Sequence, residues 1–243
     1  MENRCSAWVI FVESMSIKLI FYGHSCFSMD INGKTVLFDP FFTGNVLAKD
    51  IDVNSIHADF ILISHGHFDH IGDTVAIAKR TGAKVISNVE IAHWAAKQGV
   101  KDTHGMNIGG RFAFDFGTVK CVNAIHSSVM PDGIYGGSPM GLVVESTAGV
   151  VYYAGDTALT MDMKLIPLIC PKLTLAILPL GDNFTMGLSD AVIASEFVDC
   201  DHILGVHYDT FGWIKIDHDQ ARQAFADKGK TLHLMAVGET KEF

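Results

Sequence analysis

The segment Ile63-Ser64-His65-Gly66-His67-Phe68-Asp69-His70 places four metal-binding side chains within six positions, directly after the apolar run Phe60-Ile61-Leu62. A buried strand ending in this way presents imidazoles and a carboxylate from a single loop. Neutral imidazole is the commonest protein metal ligand and suits zinc, iron and nickel; a carboxylate completes the set. The alternative is a solvated polar loop in which histidines merely cluster. The preceding strand decides against it, because a motif counts when its structural context is present.

One His-x-His pair and one Asp-His pair cannot close two tetrahedral or five-coordinate sites. Further ligands must come from elsewhere in the chain, and strand ends are where they would project. His126 follows the run Val119–Ile125, Asp156 follows Val150–Gly155, and His207 follows Ile203–Val206. Each alone is more often a hydrogen-bonded polar residue than a ligand. The three together, in this order after the His65 loop, form a pattern.

That pattern resembles the metallo-β-lactamase superfamily of dinuclear hydrolases, from about Ile17 to the C-terminus. Further segments are similar to the bacterial "metal-dependent hydrolase" branch near the ascorbate-6-phosphate lactonases. These are Tyr22-Gly23-His24-Ser25-Cys26-Phe27, Leu37-Phe38-Asp39-Pro40, Met106-Asn107-Ile108-Gly109-Gly110 and Gly181-Asp182-Asn183-Phe184-Thr185-Met186-Gly187. The resemblance implies that His65, His67 and His126 hold one ion and that Asp69, His70 and His207 hold a second. Asp156 would bridge the two. The implied cofactors are two divalent ions, zinc first, with manganese or iron as alternatives.

Two ions sharing a carboxylate can also share a water whose pKa falls towards neutrality, giving a bridging hydroxide. The implied activity is hydrolysis of a small ester, lactone or phosphoester, with Asp69, Asp156 and His24 as the catalytic side chains. Asp39 would accept a ligand imidazole N–H and fix its tautomer; a turn-forming Asp before Pro40 is the other reading. His24 is expected on the substrate side or in proton transfer, against a strand-end histidine packed on Phe27. Asn183 and Thr185 sit in a Gly-bounded loop and either reach substrate or bond within the loop. His57, His93, His104, His202, His218 and His233 have no motif around them.

Other branches of the superfamily are set aside on similar grounds. Only 36 residues follow His207, too few for an appended helical glutathione-binding region, and no flavodoxin-like domain is present. The main zinc β-lactamases generally lack a histidine after the loop aspartate, where this chain has His70. Two readings from other classes stay open: an iron-dependent oxidoreductase on the same scaffold, and a non-catalytic metal-dependent binding protein.

The elements that must position these residues follow from pattern. Ile17–Phe21, Cys26–Ile31 and Thr35–Phe38 read as strands, with Asn32-Gly33 as a hairpin turn. Phe60–Ser64 is a buried strand, Asp73–Arg80 a helix closed by Gly82, Lys84–Ser87 a strand and Val89–Gln98 a helix closed by Gly99. Val119–Ala124, Gly141–Glu145 and Val150–Ala154 are strands. Thr160–Ile166 reads as a helix stopped by Pro167. Leu175–Leu178, Ile203–Val206 and Thr231–Met235 read as strands, and Ser189–Val198 and Asp217–Lys228 as helices. A strand cluster followed by strand–helix units, twice over, suits an α+β fold: a four-layer αββα sandwich. It would be one domain over residues 15–243, with residues 1–14 an extension outside the fold.

Composition bounds the rest. Hydrophobic residues make up 49% of the 243, enough for a large core, and charged residues 19%, which argues against disorder. Eighteen Lys and Arg against 27 Asp and Glu give a net charge of −9, and no basic cluster stands out. Phosphate backbones are bound through such clusters, so nucleic acid is disfavoured and a small molecule is the expected partner. A homo-oligomer is left open. Cys5, Cys26, Cys121, Cys170 and Cys200 are odd in number and never in a C-x-x-C pair, which argues for free thiols in a reducing compartment. Ala7–Val12 is short for a secretory segment and is followed by Glu13, and no apolar run is long enough to span a bilayer. The expected location is cytoplasmic, away from membranes.

Overall fold

The computed structural model describes residues 16–243; the boundary expected at Met15 and the extension 1–14 lie outside the described residues. The first half contributes β1 (Lys18–Gly23), β2 (Cys26–Ile31), β3 (Lys34–Phe38), β4 (Phe60–Leu62), α1 (Phe68–Ile71), α2 (Thr74–Thr81), β5 (Lys84–Asn88), α3 (Val89–Lys97) and β6 (Thr103–Met106). The second contributes β7 (Arg111–Phe114), β8 (Gly117–Asn123), β9 (Met140–Ser146), β10 (Gly149–Tyr153), α4 (Ile166–Ile169) and β11 (Leu175–Pro179). It continues through α5 (Leu188–Phe197), β12 (His202–Val206), α6 (His218–Ala226), β13 (Thr231–His233) and β14 (Thr240–Glu242).

Two seven-stranded sheets result, ordered β14-β1-β2-β3-β4-β5-β6 and β13-β12-β11-β10-β9-β8-β7. The tight hairpins β1–β2, β2–β3 and β9–β10 give antiparallel neighbours, and the longer crossovers β3–β4, β4–β5, β10–β11 and β11–β12 give parallel ones. The connections dictate this: two residues suffice for an antiparallel return, whereas parallel neighbours need a crossover. At the β2–β3 hairpin both Asn32 (φ 52°) and Gly33 (φ 73°) are left-handed, as such a two-residue turn requires.

Strand alternation sorts the core into layers. Leu62, Leu142, Val144 and Tyr153 point between the sheets with Phe27, Phe38 and Leu204. Their neighbours Val143 and Tyr152 point outward, with Leu178 and Ala176, onto α5 and α6 through Ala191, Ala194 and Phe225. Ile61 and Val85 point out of the other sheet onto Ile77 of α2 and Ile91 of α3. Successive side chains on a strand face opposite ways, so one sequence run feeds two layers. The architecture is the expected four-layer αββα sandwich.

Several elements differ from the sequence reading. Pro167 does not stop a helix: Met161–Leu165 forms a 3₁₀ turn and Pro167 lies in the first turn of α4. Proline is favoured there because the first N–H groups of a helix have no intrahelical partner to lose. The short elements α1, β6, β7 and β14 were not legible as periodic runs. Gly82 closes α2 in the left-handed conformation as expected (φ 78°). Cys26, Cys121, Cys170 and Cys200 are free thiols. No helix among the described residues is long and apolar enough to cross a membrane.

Strand direction determines where function can gather. β1, β3 and β4 run the same way in one sheet, and β8, β10 and β12 run the same way in the other. Beyond their carboxyl ends stand His24, Asp39, the His65 loop, His126, Asp156 and His207. Backbone hydrogen bonds tie the two sheets together at this edge, His207 N to His24 O (2.9 Å) and Met140 N to Ser64 O (3.2 Å).

Candidate metal centre

Asp156 leaves β10 through Gly155, whose left-handed φ of 62° and close approach to Ser64 suit no larger residue. Its carboxylate is buried at the junction of the sheets. Around its Oδ2 stand four imidazole Nε2 atoms: His207 at 3.1 Å, His70 at 3.3 Å, His126 at 3.5 Å and His65 at 3.8 Å. His67 completes one corner, with its Nδ1 3.0 Å from His65 Nε2. Donor atoms around a tetrahedral ion with bonds near 2.05 Å are separated by about 3.4 Å. The spacings found here are those of such a coordination polyhedron.

Two sets of donors assemble. His65, His67 and His126 form one, and Asp69, His70 and His207 the other, which His24 joins; within each set the ligand atoms lie within 4.8 Å of one another. The backbone is bent to achieve this, since His24, Asp39 and His207 all adopt positive φ (58°, 39° and 56°). Left-handed conformations of such residues cost of order 1–3 kcal/mol each and cluster at functional sites.

Asp39, wholly buried at the end of β3, sets the ring tautomers. Its Oδ2 accepts from Ser64 Oγ (2.5 Å), Tyr153 Oη (2.6 Å) and His70 Nδ1 (2.7 Å), and its Oδ1 accepts from Ser64 N (2.8 Å). The carboxylate can only accept, so His70 carries hydrogen on Nδ1. Ser64 gives its single hydroxyl proton to Asp39 and therefore accepts from His65 Nδ1 at 2.9 Å. Both rings are thereby turned with their Nε2 atoms toward Asp156, the orientation a ligand needs.

The electrostatics fit a cation. Burial works against the charged forms of Asp69 and Asp156. Facing imidazoles outweigh it, His70 and His24 for Asp69 and His207 and His70 for Asp156, and both carboxyls lie well below their ordinary range. Burial holds His65, His67 and His126 below the usual histidine value, hence neutral. At His70 burial acts in the same direction, but the carboxylates of Asp156 and Asp69 win and lift its pKa well above the ordinary value. Ionised carboxylates and neutral imidazoles are what metal ligation requires, so an ion bound here would displace the proton that the carboxylates hold on His70. His70 Nε2 and Asp156 Oδ1 are moreover buried with no hydrogen-bonded partner, as is His207 Nδ1. Such orphaned atoms are rare in native interiors unless something else satisfies them. The donor set fits divalent ions.

His24 is not on the cavity wall where a substrate-side group was expected. Its ring is wholly buried behind Asp69, with Nε2 3.1 Å from Asp69 Oδ2 and Nδ1 2.9 Å from Thr210 Oγ1. The left-handed turn at the end of β1 directs it inward. Nor does it pack on Phe27; its ring neighbours are Phe41, His70, His207 and Phe211.

In the 181–187 loop Asn183 is exposed, and its backbone N–H bonds Asp182 Oδ1, while Thr185 Oγ1 donates to Met186 O. The loop residue that reaches the cavity is Phe184. The cavity over the donors holds about 520 Å³, and His67, Asp69, His126, Asp156 and His207 form its floor. Phe68, Phe211 and Trp213 wall it, together with Ser127. These residues escaped sequence reasoning, although Phe68 lies inside the histidine motif itself.

Comparisons with known proteins agree with the geometry. A family model described as "Beta-lactamase superfamily domain" matches residues 34–208. A protein of Flavobacterium johnsoniae named "UPF0173 metal-dependent hydrolase" is 54% identical over 226 residues, covering 93% of this chain and 100% of the relative. A protein of Christiangramia forsetii with the same name is 55% identical over 227 residues, again covering 93% and 100%. Among solved structures, Igni18, a metallo hydrolase from the archaeon Ignicoccus hospitalis, aligns with a TM-score of 0.85 at 32% identity. The alignment covers 94% of this chain and 98% of Igni18.

Proposed function

Given that the chain belongs to the UPF0173 metal-dependent hydrolase family of the metallo-β-lactamase superfamily, we propose that it is a dinuclear hydrolase of small esters, lactones or phosphoesters. His65, His67 and His126 would hold one divalent ion and Asp69, His70 and His207 the other. The observation that carries this reading is Asp156 Oδ2, approached by imidazoles of both sets at 3.1–3.8 Å, the position of a bridging carboxylate. Zinc is the first candidate, and nitrogen and oxygen ligands of this kind also accept manganese and iron.

Divalent ions so placed supply an acidified water and a Lewis acid for a carbonyl or phosphoryl oxygen. The protein's own groups do the remainder. His24 Nε2–H donates to Asp69 Oδ2 and holds that carboxylate in position. Asp69 forms part of the cavity floor, where it can accept a proton from the attacking water. Asp39 keeps His70 in the ligating tautomer. Resemblance to the lactonase branch favours lactones among the candidate substrates. A small-molecule substrate suits the size of the cavity.

Elemental analysis with a hydrolysis panel tests this. Zinc- or manganese-reconstituted protein should hold up to two ions per chain and turn over a lactone, ester or phosphodiester, with turnover lost in Asp69→Ala. Metal content below about 0.3 equivalents after reconstitution would sink the dinuclear reading. An oxygen-consuming reaction with iron would favour the oxidoreductase alternative, and tight metal binding without turnover of any panel member the binding-protein alternative.

A further inference from the structure

The cavity above the donors is walled by aromatic rings from three separate segments: Phe68 on the histidine loop, Phe184 on the 181–187 loop, and Phe211 and Trp213 on the loop after β12. Trp213 is 80% exposed, Phe68 59% and Phe184 50%. Large apolar side chains left in water around a polar floor mark a binding surface. Phe68 and Phe211 stand 6.4 Å apart between ring centroids, and Phe41 supports Phe68 from behind in an edge-on contact at 5.7 Å. The loop that carries Phe211 and Trp213 is closed by Asp209, whose Oδ1 accepts from Ile216 N (3.1 Å) and whose Oδ2 pairs with His218 Nε2 (2.7 Å).

Among the described residues, no Lys or Arg side chain lines this cavity. Phosphate groups on a substrate are recognised by guanidinium or ammonium donors or by the start of a long helix. Among the described residues, α1 is the helix whose first turn lines the cavity, and it has a single turn. Among the described residues, Ser127 is the sole hydroxyl on the wall. The polar chemistry is otherwise concentrated on the floor, where the scissile group must lie, and the rest of the wall is aromatic. In a protein of net charge −9, an uncharged substrate is also one that the surface does not repel.

We propose that the substrate is an uncharged carboxylic ester or lactone carrying an apolar alkyl or aryl group, and that the group packs against Phe68, Phe184, Phe211 and Trp213. This rests on the hydrolase reading and narrows it: the lactone half of the family resemblance is accommodated and the phosphate half is not. In the reaction, the oxygen of water bonds to the carbonyl carbon and the bond from that carbon to the ester or ring oxygen breaks. One proton of the water passes to the departing oxygen and the other is released as the acid product ionises.

The test compares γ-butyrolactone with γ-nonalactone, and glucono-δ-lactone with its 6-phosphate, using zinc- or manganese-loaded protein. We expect kcat/KM to rise by at least about tenfold from the four-carbon to the nine-carbon lactone, as burial of a pentyl chain implies, and to gain nothing from the phosphate. Trp213→Ala and Phe184→Ala, both at exposed positions, should cut the chain-length ratio by about threefold or more at unchanged metal content. A ratio near one, a preference for the phosphorylated lactone, or variants that keep the full ratio would each overturn the inference.

Calorimetric binding of 2-pentylcyclopentanone against cyclopentanone separates this from the underlying activity. If no lactone is turned over, tighter binding of the pentyl ketone that is lost in Trp213→Ala upholds the substrate class while the hydrolase reading falls. Equal binding of the two ketones overturns the substrate class whether or not the protein is a catalyst.

Discussion

His24 Nε2 lies 3.1 Å from Asp69 Oδ2 in a position sealed from solvent, and its other ring nitrogen lies 2.9 Å from Thr210 Oγ1. A carboxylate only accepts, so the histidine is the donor and the threonine hydroxyl donates to Nδ1. Burial, with the neighbouring His207, lowers the His24 pKa to about 4, so the ring is a neutral donor. It acts on the site through Asp69. His24→Ala should weaken metal binding and reduce kcat by about 10–100-fold, the usual effect of losing a group that orients a ligand. His24→Gln, which keeps a side-chain N–H donor, should recover part of both. Chelator competition and steady-state kinetics measure the two effects; an alanine variant with native metal affinity would show that Asp69 needs no support.

Asp39 serves three donors with one oxygen, and Tyr153 is the partner whose removal is simplest to read. Burial, then the charge of Asp39, hold the Tyr153 hydroxyl well above its ordinary pKa, so it stays a donor. Tyr153→Phe should cost about 1 kcal/mol of stability, one buried hydrogen bond, with metal retained. Asp39→Asn sets an amide N–H against existing donors and should cost roughly 2–3 kcal/mol together with a 10–100-fold loss in metal affinity. Denaturant titration of chelated and metal-loaded protein distinguishes them. A phenylalanine variant as damaging as the asparagine would mean that the network is not centred on Asp39.

The donors were legible because ligation chemistry restricts residue types and because strand ends leave a polar residue after an apolar run, as at Ile125-His126 and Val206-His207. The layers were legible because strands alternate: Val143 and Val144 go to opposite faces. His24 was misplaced because nothing in Gly23-His24-Ser25 reveals a positive φ that turns the ring inward. The cavity wall was missed for a related reason. Phe68, Phe184, Phe211 and Trp213 are isolated in sequence and meet only through loop geometry, whereas a motif reading weighs polar residues. Pro167 reads in sequence as a helix stop, whereas its place in the first turn makes it a start.

His233, half-buried on β13 and remote from the donors, offers a pH response of its own. Burial, then the charges of Lys241 and His202, lower its pKa to about 4 from the usual 6.5; Glu239 opposes them weakly. Between these values the unfolded chain binds more protons than the native one, so acidification through that window favours unfolding. Full stability from this residue is present above pH 6.5 and is lost progressively towards pH 4. His233→Gln should therefore lose less stability than the unaltered protein between pH 7 and about pH 4.5. Denaturation midpoints at both pH values decide it; parallel losses in the two proteins would assign the acid sensitivity elsewhere.

Asp156 and the glycine before it separate metal binding from folding. A Cβ on Gly155 would lie 2.9 Å from Ser64 Cβ and 3.1 Å from Met140 O, at a φ of +62°. Gly155→Ala should then destabilise the protein by about 1–3 kcal/mol with or without metal, because the clash is with the packed interior. Asp156→Ala removes a buried carboxylate faced by His207 and His70, and in chelator it should cost about 3 kcal/mol because both imidazoles lose their partner. A second defect should emerge on adding metal. Ions that bind only the native state raise the melting temperature by mass action, and Asp156→Ala should lose most of that rise along with its metal content and hydrolysis. Melting curves with and without chelator, paired with elemental analysis, read each term. An Asp156→Ala protein that keeps the full metal-induced rise would move the bridge to another residue.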